Sequence, residues 1–282
     1  MNKRILEEKI FKILMYVSIL IVLGSLFIII SLVVANGATS LSIEMITQTP
    51  TGGYYLGKSG GILNAIIGSL FLALPATGLA FIISLGIAIY LQRDFTNPSI
   101  SSFIRLSLDI LWGIPSIIYG VFCLSIMMFL GLGASLLAGI IALTLLEIPI
   151  ITRSMDESIK MVPNGLKETA YSLGSTKFET AYKVVRKQAM PGILAGVLLG
   201  LGRGIGDAAS ILFTAGFTDN IPTSVFDSTA ALPTMIFHLF SSPIPGVRQK
   251  AYAAALILLV IVLCISIISR FLLRKSSKFI LK

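Results

Sequence analysis

Residues 110–146 read ILWGIPSIIYGVFCLSIMMFLGLGASLLAGIIALTLL and contain no charged side chain. A helix that crosses a membrane needs about 20 apolar residues, so this stretch is too long for one crossing. The GLG at 131–133 is the natural place for a break between two helices. A chain that crosses the membrane twice within this stretch is a polytopic membrane protein.

Further apolar runs lie on both sides of this stretch. Charged residues make up only 12% of the chain, whereas they are roughly a quarter of a soluble protein. Long unbroken runs favour helices over a β-barrel, whose strands alternate apolar and polar residues. We therefore predict an all-α protein with six transmembrane helices, at about residues 12–35, 62–91, 105–130, 133–152, 189–217 and 250–272.

This pattern predicts three parts along the chain. Residues 1–60 hold a cytoplasmic N-terminal segment, the first helix and an extracytoplasmic loop. Residues 61–273 form the core domain, which includes a long cytoplasmic loop at 153–188. Residues 274–282 are predicted to be a cytoplasmic tail.

The distribution of Lys and Arg predicts the orientation in the membrane. These residues concentrate near both termini, in 92–105 and in 153–188, whereas the opposite side has only Lys58, Arg248 and Lys250. Cytoplasmic loops carry the excess of positive charge, so we expect both termini in the cytoplasm of a multi-pass cell-membrane protein surrounded by lipid. The net charge of +9 reflects this bias and does not argue for a nucleic-acid partner.

The sequence lacks the motifs of an enzyme that works alone. It has no GxxxxGK[ST] phosphate loop, so we do not expect it to hydrolyse ATP. The single histidine, His238, has no cluster of ligands around it, and Cys123 and Cys264 are apolar fillers in predicted helices. We predict a transport subunit, not an enzyme, with no cofactor of its own.

Two charges lie within the predicted fifth helix, in LLGLGRGIGDAASILF at 198–213. On a helix, Arg203 and Asp207 lie one turn apart and both lie near a stripe of glycines that lets helices approach closely. Either the two charges form a structural pair, or they line a path where the Arg203 guanidinium binds an oxyanion. The stripe consists of Gly192, Gly196, Gly200 and Gly204.

Other charged residues lie near predicted helix ends. Asp109 follows Arg105 by four residues, so we expect a local ion pair. Glu147 lies either at the membrane interface or within the helix bundle, and the sequence does not decide between these positions. Prolines inside predicted helices are expected to kink them, at Pro75, Pro115 and Pro149.

The loop at 153–188 has its own helical pattern. Pro163-Asn164-Gly165 predicts a helix start, and Gly174 is placed to end the helix after one short run. A second amphipathic stretch then leads to the fifth transmembrane helix. A short exposed helix suits docking into a groove on a partner, but it could equally lie on the membrane surface.

The segment KETAYSLGSTKFETAYKVV (167–185) resembles the coupling loop of type I ABC-importer permeases, whose pattern is Glu-Ala-Ala, three residues, Gly, nine residues, Ile-x-Leu-Pro. Matches to this pattern are Glu168, Ala170 and Gly174, with Val184 at the Ile position. The sequence departs from it at Thr169 and at Lys187, which stands where Pro is expected. In this family the short helix docks on an ATPase subunit, so the resemblance implies that role here.

The resemblance extends over nearly the whole chain. Residues 60–91, 108–122 and 191–216 are similar to segments of phosphate permeases, and 232–259 is similar to the PstA type in particular. This resemblance implies the MetI-like fold of importer permeases and a substrate path that includes Arg203 and Asp207.

The resemblance also implies partners. They are a second permease of the PstC type, two ATPase subunits that bind ATP and Mg, and an extracytoplasmic phosphate-binding protein. This chain would then form half of the path of an importer for inorganic phosphate. Alternatives are a permease for another oxyanion or a phosphonate, or a stand-alone ion-coupled carrier.

Overall fold

A computed structural model describes residues 3–51 and 60–276, and this part of the chain is built from helices without a β-sheet. Only one isolated bridge, between Pro50 and Gly60, joins extended backbone in it. The helices are α1 (Lys3–Ser40), α2 (Ile43–Thr47), α3 (Leu63–Tyr90), α4 (Pro98–Gly113), α5 (Ser116–Phe129), α6 (Leu136–Lys160), α7 (Asn164–Ser172), α8 (Lys177–Gln188), α9 (Met190–Gly206), α10 (Leu232–Phe240) and α11 (Pro245–Ser276).

The predicted all-α fold is confirmed, with corrections to two of the six spans. Four helices, α1, α3, α6 and α11, are long and apolar enough to cross a membrane. Two bent pairs, α4 with α5 and α8 with α9, bring the number to six if each pair is one span. The predicted third and fifth spans are therefore not continuous helices.

The third span is broken between α4 and α5, whose axes differ in direction by 98°. The break falls at Ile114–Pro115, where Ile114 has extended backbone angles (φ −72°, ψ 131°). Proline disfavours the α conformation in the residue before it and lacks an N–H for the helix ladder. By contrast, α3 and α6 continue through Pro75 and Pro149.

Helix α6 is the centre of the bundle. In its most apolar 18-residue stretch 72% of the residues are buried, compared with none in α1. It packs against α3 through a face of small residues, and α9 covers another side of it. Because α6 touches α3, α4, α5 and α9, side chains along it meet the helix that carries Arg203 and the glycine stripe.

Helices α1 and α11 lie at the periphery and contact each other. Gly37 of α1 allows the close approach, since a Cβ there would lie 2.8 Å from the Tyr252 carbonyl oxygen of α11. Most of the large apolar side chains of α1 are exposed, among them Phe11, Leu20 and Phe27. An apolar surface all along a helix is typical of contact with lipid.

Candidate functional site: the α6–α9 interface and the cytoplasmic loop

The predicted glycine stripe lies at the contact between α9 and α6, which run antiparallel. A Cβ on Gly196 would lie 2.8 Å from the Ser154 Cβ, and one on Gly200 would lie 2.7 Å from the Ile151 side chain. Gly192 faces Ser158 in the same way, and Gly204 faces Glu147. Four glycines spaced one turn apart thus let two helices pack almost backbone to backbone.

Glu147 is fully buried in the middle of α6. Of the two positions that the sequence left open for it, the structure shows the one within the helix bundle. Its Oε1 occupies the space that a Cβ on Gly204 would need, and its Oε2 lies 3.6 Å from the ideal Cβ position of Gly200. Neither carboxylate oxygen has a hydrogen-bond partner among the described residues. The Thr77 hydroxyl of α3 lies beside it without hydrogen-bond geometry.

Arg203 and Asp207 do not form the pair that a continuous helix would allow. Helix α9 ends at Gly206, and Asp207 has extended backbone angles (φ −81°, ψ 118°). The Asp207 carboxylate accepts hydrogen bonds from the Ser210 backbone N–H (2.8 Å) and from the Ser210 hydroxyl. Arg203 is exposed on the surface of the chain, and its charge acts on the nearby Tyr119 hydroxyl of α5.

Local chemistry explains why α9 ends at Gly206, eleven residues before the predicted limit. Glycine is a poor helix former, and three glycines lie at alternate positions, Gly202, Gly204 and Gly206. Asp207 then closes a turn on Ser210, a local bond that competes with the helix ladder. The chain continues as irregular backbone to Ala231, bonded to the start of α6 through the Ser135 N–H and the Thr214 carbonyl oxygen (2.7 Å).

A network of charges surrounds Asp156 near the C-terminal end of α6. Asp156 is fully buried and receives a forked contact from Arg105 of α4, at 2.8 and 3.0 Å. The Lys160 ammonium lies 2.8 Å from the same carboxylate, and the Gln92 amide donates to it at 3.3 Å. The network joins α6 to α4 and to the end of α3.

The predicted local pair of Arg105 and Asp109 is wrong. Arg105 turns to Asp156, and Asp109 binds Arg153 of α6 instead, at 2.8 Å. An unpaired buried carboxylate is much less stable than an exposed one. Arg105 therefore pairs with the buried Asp156 of α6 and not with the exposed Asp109 of its own helix. Sequence reasoning missed Asp156, although its spacing from Arg153 (three residues) and Lys160 (four) was a visible signal of a charged helix face.

Helix α7 is the short helix that the sequence predicts within the loop at 153–188. Ala170 is buried, whereas Glu168, Thr169 and Ser172 are exposed on the opposite side. Gly174 has a left-handed backbone (φ +82°), and its N–H donates to the Tyr171 carbonyl oxygen at 2.9 Å.

The Ser175 N–H donates to the Ala170 carbonyl oxygen at 3.1 Å, which completes a Schellman cap. Glycine at position 174 is thus required by the backbone conformation that ends the helix. The cap leaves Glu168 at the exposed side of a helix whose two ends are both fixed.

Helix α8 connects this cap to the membrane domain. It begins with a capping box in which Thr176 and Glu179 exchange hydrogen bonds, and it contains a π turn at Thr180–Val185. The family's proline position is Lys187, and the turn into α9 falls just after it, where the axes of α8 and α9 differ by 72°. Pro191 lies in the first turn of α9, a position that tolerates proline.

Comparisons with known proteins agree with this geometry. Residues 82–278 match the family model of the binding-protein-dependent transport system inner membrane component. The chain is 34% identical to the phosphate transport system permease protein PstA of Haemophilus influenzae over 91% of this chain and 90% of that protein. It is 33% identical to a probable PstA of Methanocaldococcus jannaschii, over 98% and 96% of the two chains.

Solved structures share the fold at lower identity. A bacterial alginate ABC transporter in complex with an alginate-bound periplasmic protein matches with a TM-score of 0.68, 14% identity and 99% coverage of both chains. The MetNI methionine ABC transporter, in an inward-facing conformation, matches with a TM-score of 0.61, 18% identity and coverage of 76% of this chain and 95% of that one. From its sequence relatives and its fold, the chain belongs to the family of binding-protein-dependent transport system inner membrane components, in its PstA branch.

Proposed function

We propose that this chain is one permease subunit of an ATP-driven importer for inorganic phosphate and forms half of the translocation path. A second permease of the PstC type completes the path. Two ATPase subunits bind ATP and Mg on the cytoplasmic side, so this chain needs no cofactor of its own. An extracytoplasmic phosphate-binding protein delivers the substrate. The names of the relatives, which are phosphate transport system permeases, support phosphate as the substrate.

The observation that carries this proposal is the exposed Arg203 on a helix of the membrane domain. A charged side chain at this depth is unfavourable against lipid, so it must face a water-filled path or another protein. No described carboxylate pairs with it, because Asp207 is engaged by Ser210 and Glu147 lies buried against α6. A free guanidinium offers a planar fork of donors that fits an oxyanion.

The cytoplasmic loop supports the coupling role. The exposed side of α7, with Glu168 and Thr169, is free to enter a groove on an ATPase, while the buried Ala170 faces the permease. The Schellman cap at Gly174 fixes where this helix ends. The positive charge of the 153–188 loop and of both termini supports their location on the cytoplasmic side of the cell inner membrane.

The test is Arg203→Gln in the assembled complex. Hydrogen bonds to a charged group are worth about 1.5–3 kcal/mol, so phosphate uptake should fall roughly 10- to 100-fold. Arg203→Lys keeps the charge and loses the fork, so it should retain part of the activity. Uptake of labelled phosphate into vesicles is measured beside the yield of complex by affinity capture.

The double variant Arg203→Gln with Asp207→Asn separates a path from a structural lock. If Arg203 binds substrate, the double variant assembles and stays inactive. An assembled double variant that transports phosphate normally would contradict the role of Arg203 in the path.

A further inference from the structure

The coupling helix α7 is held to the membrane domain by an ion pair across a gap. The Lys167 ammonium lies 3.7 Å from Asp94, in the turn between α3 and α4, and both side chains are partly buried. Tyr171, one turn further along α7, lies beside the same carboxylate. Burial and the Asp94 charge together raise the pKa of the Tyr171 hydroxyl. One carboxylate therefore faces two side chains of α7.

The turn that carries Asp94 is firmly fixed. The Phe95 and Thr96 N–H groups both donate to the Gln92 carbonyl oxygen, at 3.0 and 3.2 Å. The Gln92 side chain is buried and donates to Asp156, and Arg105 donates to the Leu91 carbonyl oxygen at 3.0 Å. Asp94 is thus the outer end of the network that joins α3, α4 and α6.

A cavity of about 570 Å³ lies between this turn and α7. Its wall includes Gln92, Arg93 and Asp94 on one side and Asn164, Lys167 and Tyr171 on the other. Leu166 packs α7 against the apolar cluster that includes Ala88 of α3. Beside this contact, the Lys167–Asp94 pair is a polar contact that crosses the cavity.

The geometry points to Asp94 as a positioning residue for coupling: its carboxylate holds Lys167 and Tyr171 and passes a displacement of α7 to α3 and α4. This inference rests on the proposed function, in which α7 docks on an ATPase. The partner that would move α7 touches its exposed residues Thr169 and Ser172, whereas Asp94 holds Lys167 and Tyr171. Glu168 is exposed and also lines the cavity. Asp94 itself contacts neither the ATPase nor the substrate.

The experiment measures phosphate taken up per ATP hydrolysed by the reconstituted complex, together with the yield of that complex. Asp94→Asn removes the charge and keeps the shape of the side chain. A partly buried pair is worth on the order of 1 kcal/mol, so the ratio should fall about fivefold. Arg93→Gln, which changes the neighbouring exposed charge in the same turn, should leave the ratio unchanged.

A charge exchange tests whether the pair itself is responsible. Asp94→Lys alone should lower the ratio of phosphate to ATP at least as much as Asp94→Asn does. Asp94→Lys combined with Lys167→Asp should restore most of that ratio. A ratio equal to wild type in Asp94→Asn would overturn the inference. So would an assembled exchange variant without recovery.

Failure of the proposed function has a different signature. A wild-type complex that hydrolyses ATP without taking up phosphate would contradict the phosphate-importer role, whatever Asp94 does. A wild-type complex that is well coupled, with Asp94 variants that are equally well coupled, would overturn only the role of Asp94.

Discussion

Helix α6 carries two fully buried carboxylates with opposite surroundings. Asp156, at the C-terminal end, has cations from α4 and from its own helix within 4 Å, and Gln92 donates to it from the end of α3. Glu147, nine residues earlier, has no hydrogen-bond partner among the described residues and lies against the glycines of α9. The first arrangement fixes three helices together. The second requires space, not a partner, and it lies against α9, the helix that presents Arg203.

The difference indicates which charged groups find their partners within this chain. The Asp156 network satisfies its own charges, so it is a structural joint of this subunit. Arg203 is exposed and has no anionic partner among the described residues, and the proposed function assigns it to the substrate path. The comparison therefore separates a charge network that is complete within this chain from a charge whose proposed partner lies outside it.

The largest expected effect comes from breaking the joint with Arg105→Leu. This change removes the two hydrogen bonds to the buried Asp156 carboxylate and the one to the Leu91 carbonyl oxygen. The free energy of unfolding should fall by roughly 3 kcal/mol. This is the lower end of the range for a buried pair, because Lys160 still contacts Asp156. Thermal unfolding of the purified subunit in detergent, with protein yield, measures the loss. Arg93→Leu, an exposed cation in the preceding turn, is the matched control and should unfold as wild type does. Equal melting temperatures of the two variants would refute the structural role of the fork.

A smaller effect is expected where Glu147 needs space. Gly204→Ala places a methyl group in the position of the Glu147 Oε1, which is overpacking that typically costs about 1–3 kcal/mol. Gly202→Ala meets no atom within 4 Å and should be neutral or stabilising by up to about 1 kcal/mol, because alanine favours the helix. The two melting temperatures should move in opposite directions. A Gly204→Ala variant at least as stable as Gly202→Ala would show that α6 and α9 are not closely packed there.

The smallest expected effect is that of Glu147→Gln. The amide has almost the same shape as the carboxyl group and no ion pair is lost, so the stability should change by less than about 1 kcal/mol, in the direction of higher stability. The measurement is the same unfolding assay. A large destabilisation would mean that Glu147 has a cationic partner in the protein, and the contrast with Asp156 would then disappear.

The sequence predicted the spans far better than it predicted their ends. Apolar composition located the four long helices and both bent pairs, because lipid contact constrains composition over about 20 residues. The end of α9 was missed because residues 208–217 are as apolar as a helix, and only the Asp207–Ser210 turn breaks the ladder. Pro115 was recognised as a kink, but the 98° angle depends on how α4 and α5 pack on α6.

For the candidate site, spacing along single helices predicted the local features, whereas contacts between residues far apart in the chain were missed. The glycine stripe and the cap at Gly174 follow from spacing along one helix, and both lie where the pattern placed them. The pairing of Arg105 with Asp156 joins residues 51 positions apart, so a pattern of four-residue spacing selected the wrong partner. Asp94 carried no sequence signal, since its importance comes only from the helix that folds beside it.

The π turn at Thr180–Val185 makes the orientation of α7 sensitive to the number of residues in this stretch. Each residue of an α-helix advances by about 100°, and a π turn accommodates one residue more than an α turn. Deleting a single codon from this stretch would return the helix to regular pitch and rotate everything before it, including α7, relative to α9. Substitutions at exposed positions between Gly174 and Pro191 leave this phase unchanged, whereas any change in their number alters it. In this stretch the orientation of α7 relative to α9 therefore depends on the number of residues more than on the identity of those that are exposed.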